Sequence, residues 1–395
     1  MGIRESLPEG HGKRHGMLEY QKNGRYFAQA PRELLDLAGE ELRRLGARSL
    51  RPVHRGIHFE TDSEGLYRTV YCARFVTRVL APLLRFRCHA ARYLYRRARE
   101  IDWAELLSAE DTFAVFASVA NSRIRHSQYA ALKLKDAIVD TIRDRFGKRP
   151  DVDRKDPDQG FGLHIENDVA TISLDVSGGS LHRRGYRVQS VEAPMQETLA
   201  AAVIRLSGWD GARPLYDPMC GSGTLLCEAL SAYCRVPSGY LRQRFGFMGL
   251  PDFEPDRWRA LRSREDRDIR PLPPRLIGGS DFSDKAVRAA RANAQRLPGG
   301  GEASVKLMDF HDIPDLQDTT IVCNPPYGVR LGHTKEIPGL YREFGDFLKQ
   351  RCRGASAFVY FGRPELIPTI RLHPAWKKPM KNGGLDGRLV RFDLY

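Results

Sequence analysis

A glycine-rich stretch at residues 217–224 constrains this chain more than any other part of its sequence. It follows a short apolar run ending at Tyr216 and precedes residues 225–230, which are typical of the start of a helix. A strand, a glycine loop and a helix in this order let the backbone approach a nucleotide-like ligand closely, because Gly221 and Gly223 carry no Cβ atom. Taken alone, the pattern is equally compatible with a plain structural turn.

The sequence around and after this stretch alternates between segments with strand character and segments with helical periodicity. The alternation predicts an α/β domain with a mostly parallel sheet that is covered by helices on both faces. A proline-, glycine- and arginine-rich insertion with a short helix around Trp258 interrupts it. The insertion covers 235–275, the predicted strands cover 276–281, 305–309, 320–323, 357–361 and 385–395, and the predicted helices cover 192–206, 286–294 and 340–347.

Four polar residues stand at the carboxyl ends of successive predicted strands, namely Asp217, Asp281, Asp309 and Asn324. Open parallel sheets bind their ligands at that edge, and a carboxylate after the second strand can accept both hydroxyl protons of a ribose. A dinucleotide-binding domain is the competing interpretation. In such a domain the acid follows the glycine loop by roughly 20 residues, and the interval from Asp217 to Asp281 is longer, although the insertion would account for this. The loop also lacks the third glycine of the dinucleotide-binding pattern, because Leu226 occupies that position.

Asn324, Pro325, Pro326 and Tyr327 directly follow the predicted strand at 320–323. The prolines fix the backbone, so the Asn324 side-chain oxygen and the Pro325 carbonyl can converge on one aromatic amine. Accepting both amine hydrogens would free the nitrogen lone pair for attack, and Tyr327 could stack on the base and hold it in line. A proline-rich turn with a core tyrosine is the structural alternative. The glycine stretch upstream favours the catalytic interpretation.

The first half of the chain mixes helical and strand patterns and predicts an α+β region. Helical spacing occurs in residues 31–45, 66–84 and 128–146. Alternation around Ile57 and Phe59, and from Ala170 to Val176, predicts two half-buried strands, and the apolar run at 112–119 predicts a buried one. Serine and glycine at 177–180 indicate a domain boundary, and the composition of residues 1–20 predicts a disordered, basic lead-in.

The chain is basic, with 63 Lys and Arg against 49 Asp and Glu and a net charge of +14. This excess favours a polyanionic partner, nucleic acid before membrane. Six arginines fall within residues 85–99, among Phe86, Tyr93 and Tyr95. Arginine holds phosphates and both residue types stack on bases, so one interpretation is an RNA contact surface. A solvated helix face whose tyrosines pack inward explains the stretch equally well.

Cysteine use and hydropathy argue against several classes of protein. The seven cysteines include no Cys-x-x-Cys pair, and Cys220, Cys227 and Cys234 recur seven residues apart, which on a helix indicates packing rather than metal ligation. We therefore expect no metal site, and a cytoplasmic location in a reducing compartment. No apolar run approaches the length that spans a membrane, so no membrane partner is expected.

Several of these stretches together carry a resemblance to a known family. The chain resembles the THUMP-domain class I methyltransferases that use S-adenosylmethionine (SAM), and it is most similar to the bacterial large-subunit rRNA guanine-N2 methyltransferases. The likeness spans about residues 25–395. The stretches that carry it are residues 121–129, 135–139, 152–154, 181–187, 197–201, 217–225 and 324–328.

The resemblance implies a Rossmann-like class I methyltransferase domain preceded by an α+β THUMP and ferredoxin-like RNA-binding region. By that likeness Asp217, Gly221 and Gly223 hold the methionine part of SAM, Asp281 binds the ribose and Asp309 the adenine amine. Asn324, Pro325, Pro326 and Tyr327 would hold the target guanine. The domains expected are a lead-in at 1–20, a ferredoxin-like segment at 21–65, a THUMP domain at 66–177, a linker at 178–190 and the methyltransferase domain at 191–395.

The implied partner is RNA, as 23S rRNA or its precursor, and the expected reaction is methyl transfer to guanine N2. We predict RNA contacts at Arg123, Arg125 and Lys133, and at Arg184 and Arg187 in the connector whose Gly185 indicates a turn. The alternatives are the same reaction on tRNA and a non-catalytic RNA-binding assembly factor, while the THUMP-like half disfavours a DNA amine methyltransferase. Some family members continue into a second methyltransferase domain, so a single activity is expected of this chain.

Overall fold

The computed structural model describes residues 17–190, 194–328 and 337–395. These residues fall into two compact units. The smaller unit contains Ala81–Asp175 and Gly249–Pro251 with the residues up to Arg25, and the larger contains Tyr26–Leu80, Val176–Met248 and Asp252–Tyr395. Most of the predicted lead-in lies outside the described residues, but its last residue, Tyr20, is buried in a short helix.

The helices and strands of the described residues alternate along most of the chain. The helices are α1 (Glu19–Asn23), α2 (Leu35–Arg44), α3 (Ser63–Cys72), α4 (Ala91–Ala98), α5 (Ser127–Phe146), α6 (Glu197–Ser207), α7 (Thr224–Tyr233), α8 (Pro255–Arg267), α9 (Asp284–Ala294) and α10 (Ile337–Arg351). The strands are β1 (Arg25–Gln29), β2 (Arg48–Val53), β3 (Gly56–Glu60), β4 (Arg78–Arg87), β5 (Thr112–Ala120), β6 (Asp151–Val152), β7 (Gln159–Glu166), β8 (Val169–Asp175), β9 (Leu215–Asp217), β10 (Ile277–Asp281), β11 (Ser304–Leu307), β12 (Thr320–Cys323), β13 (Ser356–Phe361), β14 (Trp376–Asn382) and β15 (Leu385–Asp393).

A seven-stranded sheet in the order β11-β10-β9-β12-β13-β15-β14 organises the larger unit. The first five strands pair in parallel, whereas β15 runs antiparallel to both β13 and β14. β9 lies between β10 and β12, although β10 and β11 separate it from β12 along the chain. The strand order therefore reverses at β9, and the carboxyl ends of strands at such a switch point form the ligand site of open α/β sheets. The predicted α/β class is confirmed.

Helices α6 and α7 come before and after β9, and both are almost completely buried. Eight of the eleven residues of α6 and eight of the ten residues of α7 are buried. A helix that is apolar around its whole circumference can only be stable inside a core. The alanine and leucine content of both helices therefore fixes them in the interior, and this also fixes the glycine loop that joins β9 to α7.

The strands of the N-terminal half form two groups. In the larger unit, β2, β3, β1 and the start of β4 lie side by side in that order, and β1 pairs antiparallel with β4. In the smaller unit the order is β8-β7-β5-β6, with β7 antiparallel to β8 and parallel to β5. α5 packs on β5 with a buried stripe of Leu134, Ile138 and Ile142, which confirms this predicted helix, although Phe146 at its end is exposed.

Several predicted elements differ from the structure. The helical spacing assigned to residues 66–84 is wrong beyond Cys72, because Arg78 begins β4, whose buried residues on both faces produce an apolar run without strict alternation. Residues 112–119 do form a strand, β5, but of these only Phe113 is fully buried. The helix assigned to residues 192–206 starts at Glu197, and the helix of the insertion is longer than predicted, covering Pro255–Arg267.

No helix in the described parts of the chain is long and apolar enough to cross a membrane.

Candidate cofactor and base site

The carboxyl ends of four neighbouring parallel strands carry the polar residues predicted for the site. Asp217 is the last residue of β9 and Asp281 the last of β10, and these two strands pair directly. Asn324 follows β12 on the other side of β9, and Asp309 lies two residues beyond β11. Because the strands are parallel, the fold brings all four residues to one edge of the sheet.

The glycine loop uses backbone conformations that glycine adopts without strain. Gly221 and Gly223 have φ angles of 53° and 76°, in the left-handed region. A Cβ atom on Gly223 would also lie only 3.0 Å from the Cβ of Ala290 in α9. The loop leads directly into α7, which begins at Thr224, so the free N–H groups of the first helical turn start at this edge, where they favour acceptor groups of a ligand.

Asp281 is held in one orientation by two backbone N–H groups. Its Oδ2 accepts a hydrogen bond from Gly221 and its Oδ1 accepts one from Ser283, both at 2.9 Å. Burial raises the pKa of Asp281, and the two hydrogen bonds oppose this rise. Each carboxylate oxygen keeps a lone pair for a further donor, which suits the two hydroxyl groups of a ribose.

Phe282 is a site candidate that the sequence reasoning missed. It directly follows Asp281 and is 72% exposed, whereas most large apolar side chains of this unit are buried. An exposed aromatic ring beside a ribose-binding carboxylate can stack on a flat base. The signal was present in the sequence as an aromatic residue immediately after the acid that ends the second predicted strand.

Asp217 lies deeper in the protein than the other acids of this edge and is almost fully buried. It accepts hydrogen bonds from the N–H of Met219, at 3.2 Å, and from the thiol of Cys323 in β12. Burial, the largest cause, and the neighbouring Asp281 raise the pKa of Asp217 to about 8. The carboxyl group therefore shapes the start of the glycine loop through its hydrogen bond to Met219.

Asp309 is the most exposed of the predicted acids, and it already has a partner. Its Oδ1 accepts a hydrogen bond from the N–H of His311 at 3.0 Å and lies 2.6 Å from Nδ1 of the same ring. The other ring nitrogen lies 3.2 Å from the carboxylate of Glu343 in α10. An adenine amine would therefore share the Asp309 carboxylate with His311.

The side chain of Asn324 contains an unused acceptor. Within the parts of the chain that the structure describes, its Oδ1 is buried and accepts no hydrogen bond. Leaving a buried acceptor unpaired costs roughly 1–3 kcal/mol, so such a group calls for a functional explanation. Pro325 and Pro326 follow and carry no N–H group, so this corner of the backbone presents acceptors only.

The ring of Tyr327 lies in the apolar core beside this corner. The residue is 7% exposed and belongs to the buried cluster that also contains Cys323, Tyr341 and Phe361. Gly362, directly after β13, makes room for the ring, because a Cβ atom there would lie 2.7–2.9 Å from three of its atoms. Stacking of Tyr327 on a base stays a prediction, and in this structure the ring contributes to the core.

Three of the five predicted RNA contacts lie close together in the chain, around the start of α5. Arg123 and Arg125 are exposed in the loop before the helix, and the ammonium group of Lys133 lies 5.6 Å from the ring centre of Tyr129. Arg123 also pairs with Asp168 at 3.6 Å, but its side chain remains 75% exposed. Arg123 and Arg125 are therefore accessible to a phosphate backbone, whereas Lys133 is half-buried and pairs with Asp136 at 3.2 Å.

Arg184 and Arg187 lie in the larger unit and are engaged with the protein itself. Arg184 is 4% exposed and donates to the backbone carbonyl of Arg74 at 2.7 Å. Arg187 donates to several acceptors, including the Ser222 hydroxyl in the glycine loop at 3.1 Å. These contacts correct the expectation that both arginines face RNA, and Gly185 between them, with a φ angle of 92°, forms the predicted turn.

The residues at this edge fit SAM. The glycines of the loop let the protein backbone approach a ligand closely. The fixed carboxylate of Asp281 has lone pairs for a ribose, and the exposed ring of Phe282 offers a face to adenine. The described residues contain no group of three or more side chains that could hold a metal ion. The fold and the site together define a class I SAM-dependent methyltransferase.

Comparison with known families agrees with this class. Residues 184–391 match the family described as RMKL-like, methyltransferase domain, residues 90–175 match the THUMP domain, and residues 25–80 match the RlmL ferredoxin-like domain. The chain belongs to the RMKL-like methyltransferase family. The family and the cofactor predicted from the sequence, SAM, are confirmed, whereas the exact domain boundaries stay predictions.

Two kinds of relative match nearly the whole chain. A protein of Synechocystis sp. named "Putative RNA methyltransferase" is 39% identical over 94% of this chain and 97% of its own length. The "Ribosomal RNA large subunit methyltransferase K/L" of Syntrophotalea carbinolica is 40% identical over 94% of this chain, and that of Photobacterium profundum is 37% identical over 91%. The chain spans about half the length of these two K/L proteins, 53% and 52%.

Solved structures share the complete fold. SMU.472, described as "a putative methyltransferase complexed with SAH", superposes with a TM-score of 0.81 at 25% identity, covering 94% of this chain and 98% of its own. TrmN from Thermus thermophilus superposes with a TM-score of 0.66 at 19% identity, over 93% of this chain and 99% of its own, and shows the fold alone. SAH is SAM without its methyl group, so the first likeness agrees with SAM as the cofactor.

Proposed function

We propose that the protein transfers the methyl group of SAM to the exocyclic N2 amine of a guanine in 23S rRNA. The observation that carries the proposal is the buried Oδ1 of Asn324 at the switch point of the sheet, which accepts no hydrogen bond from any residue that the structure describes. The guanine amine has two N–H donors, and Oδ1 together with the carbonyl of Pro325 offers two acceptors. A pair of acceptors stabilises the amine as its nitrogen becomes tetrahedral and its lone pair becomes available.

SAM, when bound, supplies a methyl group on a positively charged sulfur that leaves as a neutral thioether, and the amine nitrogen that gains the methyl group releases one proton. The residues of the chain bind and orient the reactants. The Gly221–Gly223 loop and Asp281 fix one reactant at the ends of β9 and β10, and Asn324 fixes the amine at the end of β12. Holding the two reactants in line at neighbouring strand ends provides much of the rate enhancement of a methyl transfer, and no covalent nucleophile is required. A guanine within a helix would have to be flipped out to reach this edge.

Large-subunit rRNA is the substrate that the relatives favour. The two K/L relatives are named for it and match this chain along nearly all of its length. The exposed cations Arg123 and Arg125, with the half-buried Lys133, supply a surface for RNA phosphates in the THUMP-matching region. We extend the relatives' substrate, and with it a cytoplasmic location, to this chain on these grounds.

Methylation assays with purified protein and labelled SAM test the substrate. We expect transfer to deproteinised 23S rRNA or to a large-subunit precursor, and nucleoside analysis should show N2-methylguanosine. Bulk tRNA is assayed in parallel as the alternative substrate. Transfer to tRNA alone would show that the substrate is tRNA and not rRNA. SAM binding without transfer to any RNA would favour the non-catalytic assembly factor.

The Asn324→Ala variant tests whether Asn324 accepts a hydrogen bond from the guanine amine. Removing one of two acceptors for the developing ammonium should lower kcat by about 100-fold or more, in the range seen when one donor or acceptor that stabilises transition-state charge is lost. SAM affinity measured by calorimetry should stay within about twofold, because Asn324 holds the amine and not the cofactor. Near wild-type turnover would show that the amine is held elsewhere.

A further inference from the structure

The guanidinium group of Arg187 lies against the glycine loop and joins it to the start of α6. Its Nε donates to Glu197 at 3.0 Å and its Nη1 donates to the hydroxyl of Ser222 at 3.1 Å. Its Nη2 donates to the hydroxyl of Thr224 and to the carbonyl of Met195, both at 3.1 Å. Four of the five N–H groups of the guanidinium are thus directed to acceptors of the protein. Arg187 touches the loop on both sides of Gly223.

Asn293 in α9 holds the same loop through its backbone. Its Nδ2 donates to the carbonyl of Ser222 at 2.9 Å, and also to the carbonyl of Gln189 at 2.9 Å. Its Oδ1 accepts from the N–H groups of Val188 and Gln189 at 2.9 and 3.1 Å. The side chain is fully buried and satisfies both of its functional groups. Ser222 is therefore fixed twice, by Arg187 through its hydroxyl and by Asn293 through its carbonyl.

The remaining contacts of this segment anchor it to other parts of the larger unit. We name residues 184–189 the strap. At one end of the strap, Arg184 donates to the backbone carbonyls of Arg74 and Leu181. The hydroxyl of Tyr186 donates to Glu228 in α7 at 3.0 Å. The strap is therefore held by α7, α9 and the segment after α3, and Arg187 is its contact with the loop.

We propose that Arg187 is a positioning residue for SAM, which holds the Gly221–Gly223 loop in its binding conformation without touching the cofactor. The inference rests on the proposed function, because it takes this loop to be the SAM site. The loop contains two left-handed glycines, and backbone preference alone leaves glycine many conformations. Contacts to Ser222 and Thr224 restrict the conformations of the loop before binding, and this lowers the entropy that SAM binding must remove.

The number of acceptors around Arg187 makes the arrangement specific for arginine, because one planar group donates to all four. Glu197 is buried at the first position of α6 and forms an ion pair with Arg187 at 3.0 Å. A lysine has a single nitrogen and cannot reach acceptors on α6 and on both sides of Gly223 from one planar group. We therefore expect Arg187→Lys to keep the fold and to lose much of the loop contact.

SAM affinity measured by calorimetry tests the proposal, with Arg187→Lys and the double variant Arg187→Met/Glu197→Gln. The second variant removes both charges, so that no unpaired carboxylate is left in the interior. We expect the Kd for SAM and the KM for SAM to rise on the order of tenfold or more in both variants, as for the loss of hydrogen bonds from a charged group. The kcat at saturating SAM and the affinity for RNA should stay within about twofold.

Arg184→Met is the matched control, because Arg184 lies in the same strap, is more deeply buried and does not contact the loop. We expect it to lower the midpoint of thermal unfolding while leaving the Kd for SAM of the folded protein unchanged. Equal SAM affinity in wild type and both Arg187 variants would overturn the proposal. So would weaker RNA binding at unchanged SAM affinity, which would restore Arg187 as an RNA contact. Failure of the wild type to bind SAM would instead overturn the proposed function.

Discussion

At the scale of single residues, the site is distinguished by polar groups that the protein buries without full compensation. Among the described residues Asn324 keeps an acceptor unpaired, and Asp217 keeps a carboxyl group in a buried environment that raises its pKa to about 8. Both arrangements cost stability in the isolated protein. Such costs are typical of functional sites, where the missing partner is supplied by a ligand.

The raised pKa of Asp217 predicts a pH dependence of stability. An acid whose pKa is near 4 in the unfolded chain and about 8 in the folded protein binds its proton more tightly when folded. Stability should therefore fall as the pH rises between these values, by up to about 1.4 kcal/mol per pH unit for this one group. Urea unfolding of wild type and Asp217→Asn between pH 5 and 8 measures the difference. If the two proteins show parallel pH profiles, folding does not raise the pKa of Asp217.

Gly362 gives a test of the Tyr327 ring. A Cβ atom at position 362 would lie 2.7–2.9 Å from three atoms of that ring, so Gly362→Ala must displace it, at a cost of about 1–3 kcal/mol. If the ring holds the target base, kcat/KM for RNA should fall on the order of tenfold while the Kd for SAM is unchanged. Gly384→Ala is the control, since a Cβ atom there has no neighbour within 4 Å. Full activity of Gly362→Ala would restrict Tyr327 to a structural role.

At the scale of elements, the sequence was sufficient to predict which residues lie at the ends of the parallel strands. It was not sufficient to predict β4, which is buried on both faces, or the direction in which the side chain of Arg187 points. Asp217, Asp281 and Asn324 were placed correctly because parallel strands bring their carboxyl ends to one edge whatever the register. β4 was mistaken for helix because a strand buried on both faces does not alternate. Arg187 was assigned to RNA because a sequence does not show towards which side of a connector an arginine points. Its acceptors on α6 and in the glycine loop exist only in the folded chain.

The insertion between β9 and β10 is a structural element in its own right. Trp258 of α8 is buried among the rings of Tyr67, Tyr71, Phe245 and Phe247. Trp258→Ala should therefore lower the free energy of unfolding by about 3–5 kcal/mol. Urea unfolding measures this, with the partly exposed Trp376→Ala, on β14, as a control that should cost less. Equal losses in the two variants would show that α8 does not depend on this aromatic contact.

At the scale of the whole molecule, the net charge of +14 predicts salt-dependent association with RNA. The charge alone does not identify the binding surface, because many cations of this protein are paired with acids. Arg259 and Arg288, for example, are exposed on α8 and α9, and each pairs with a nearby aspartate of its own helix. The cations around the start of α5 are the better candidates because they lie in the region that matches the THUMP domain, although Arg123 and Lys133 also pair with acids.

Neutralising Arg123, Arg125 and Lys133 together to glutamine tests this surface. If each contacts one phosphate of a single-stranded segment, the slope of log K against log salt concentration should become less steep by about 0.7 for each contact. SAM affinity should not change, because these residues lie in the unit that does not contain the glycine loop. Replacing Arg213, Arg259 and Arg288 by glutamine removes the same charge from exposed positions of the larger unit. If both triple variants changed the slope equally, RNA would respond to total charge, and the surface around α5 would have no special role.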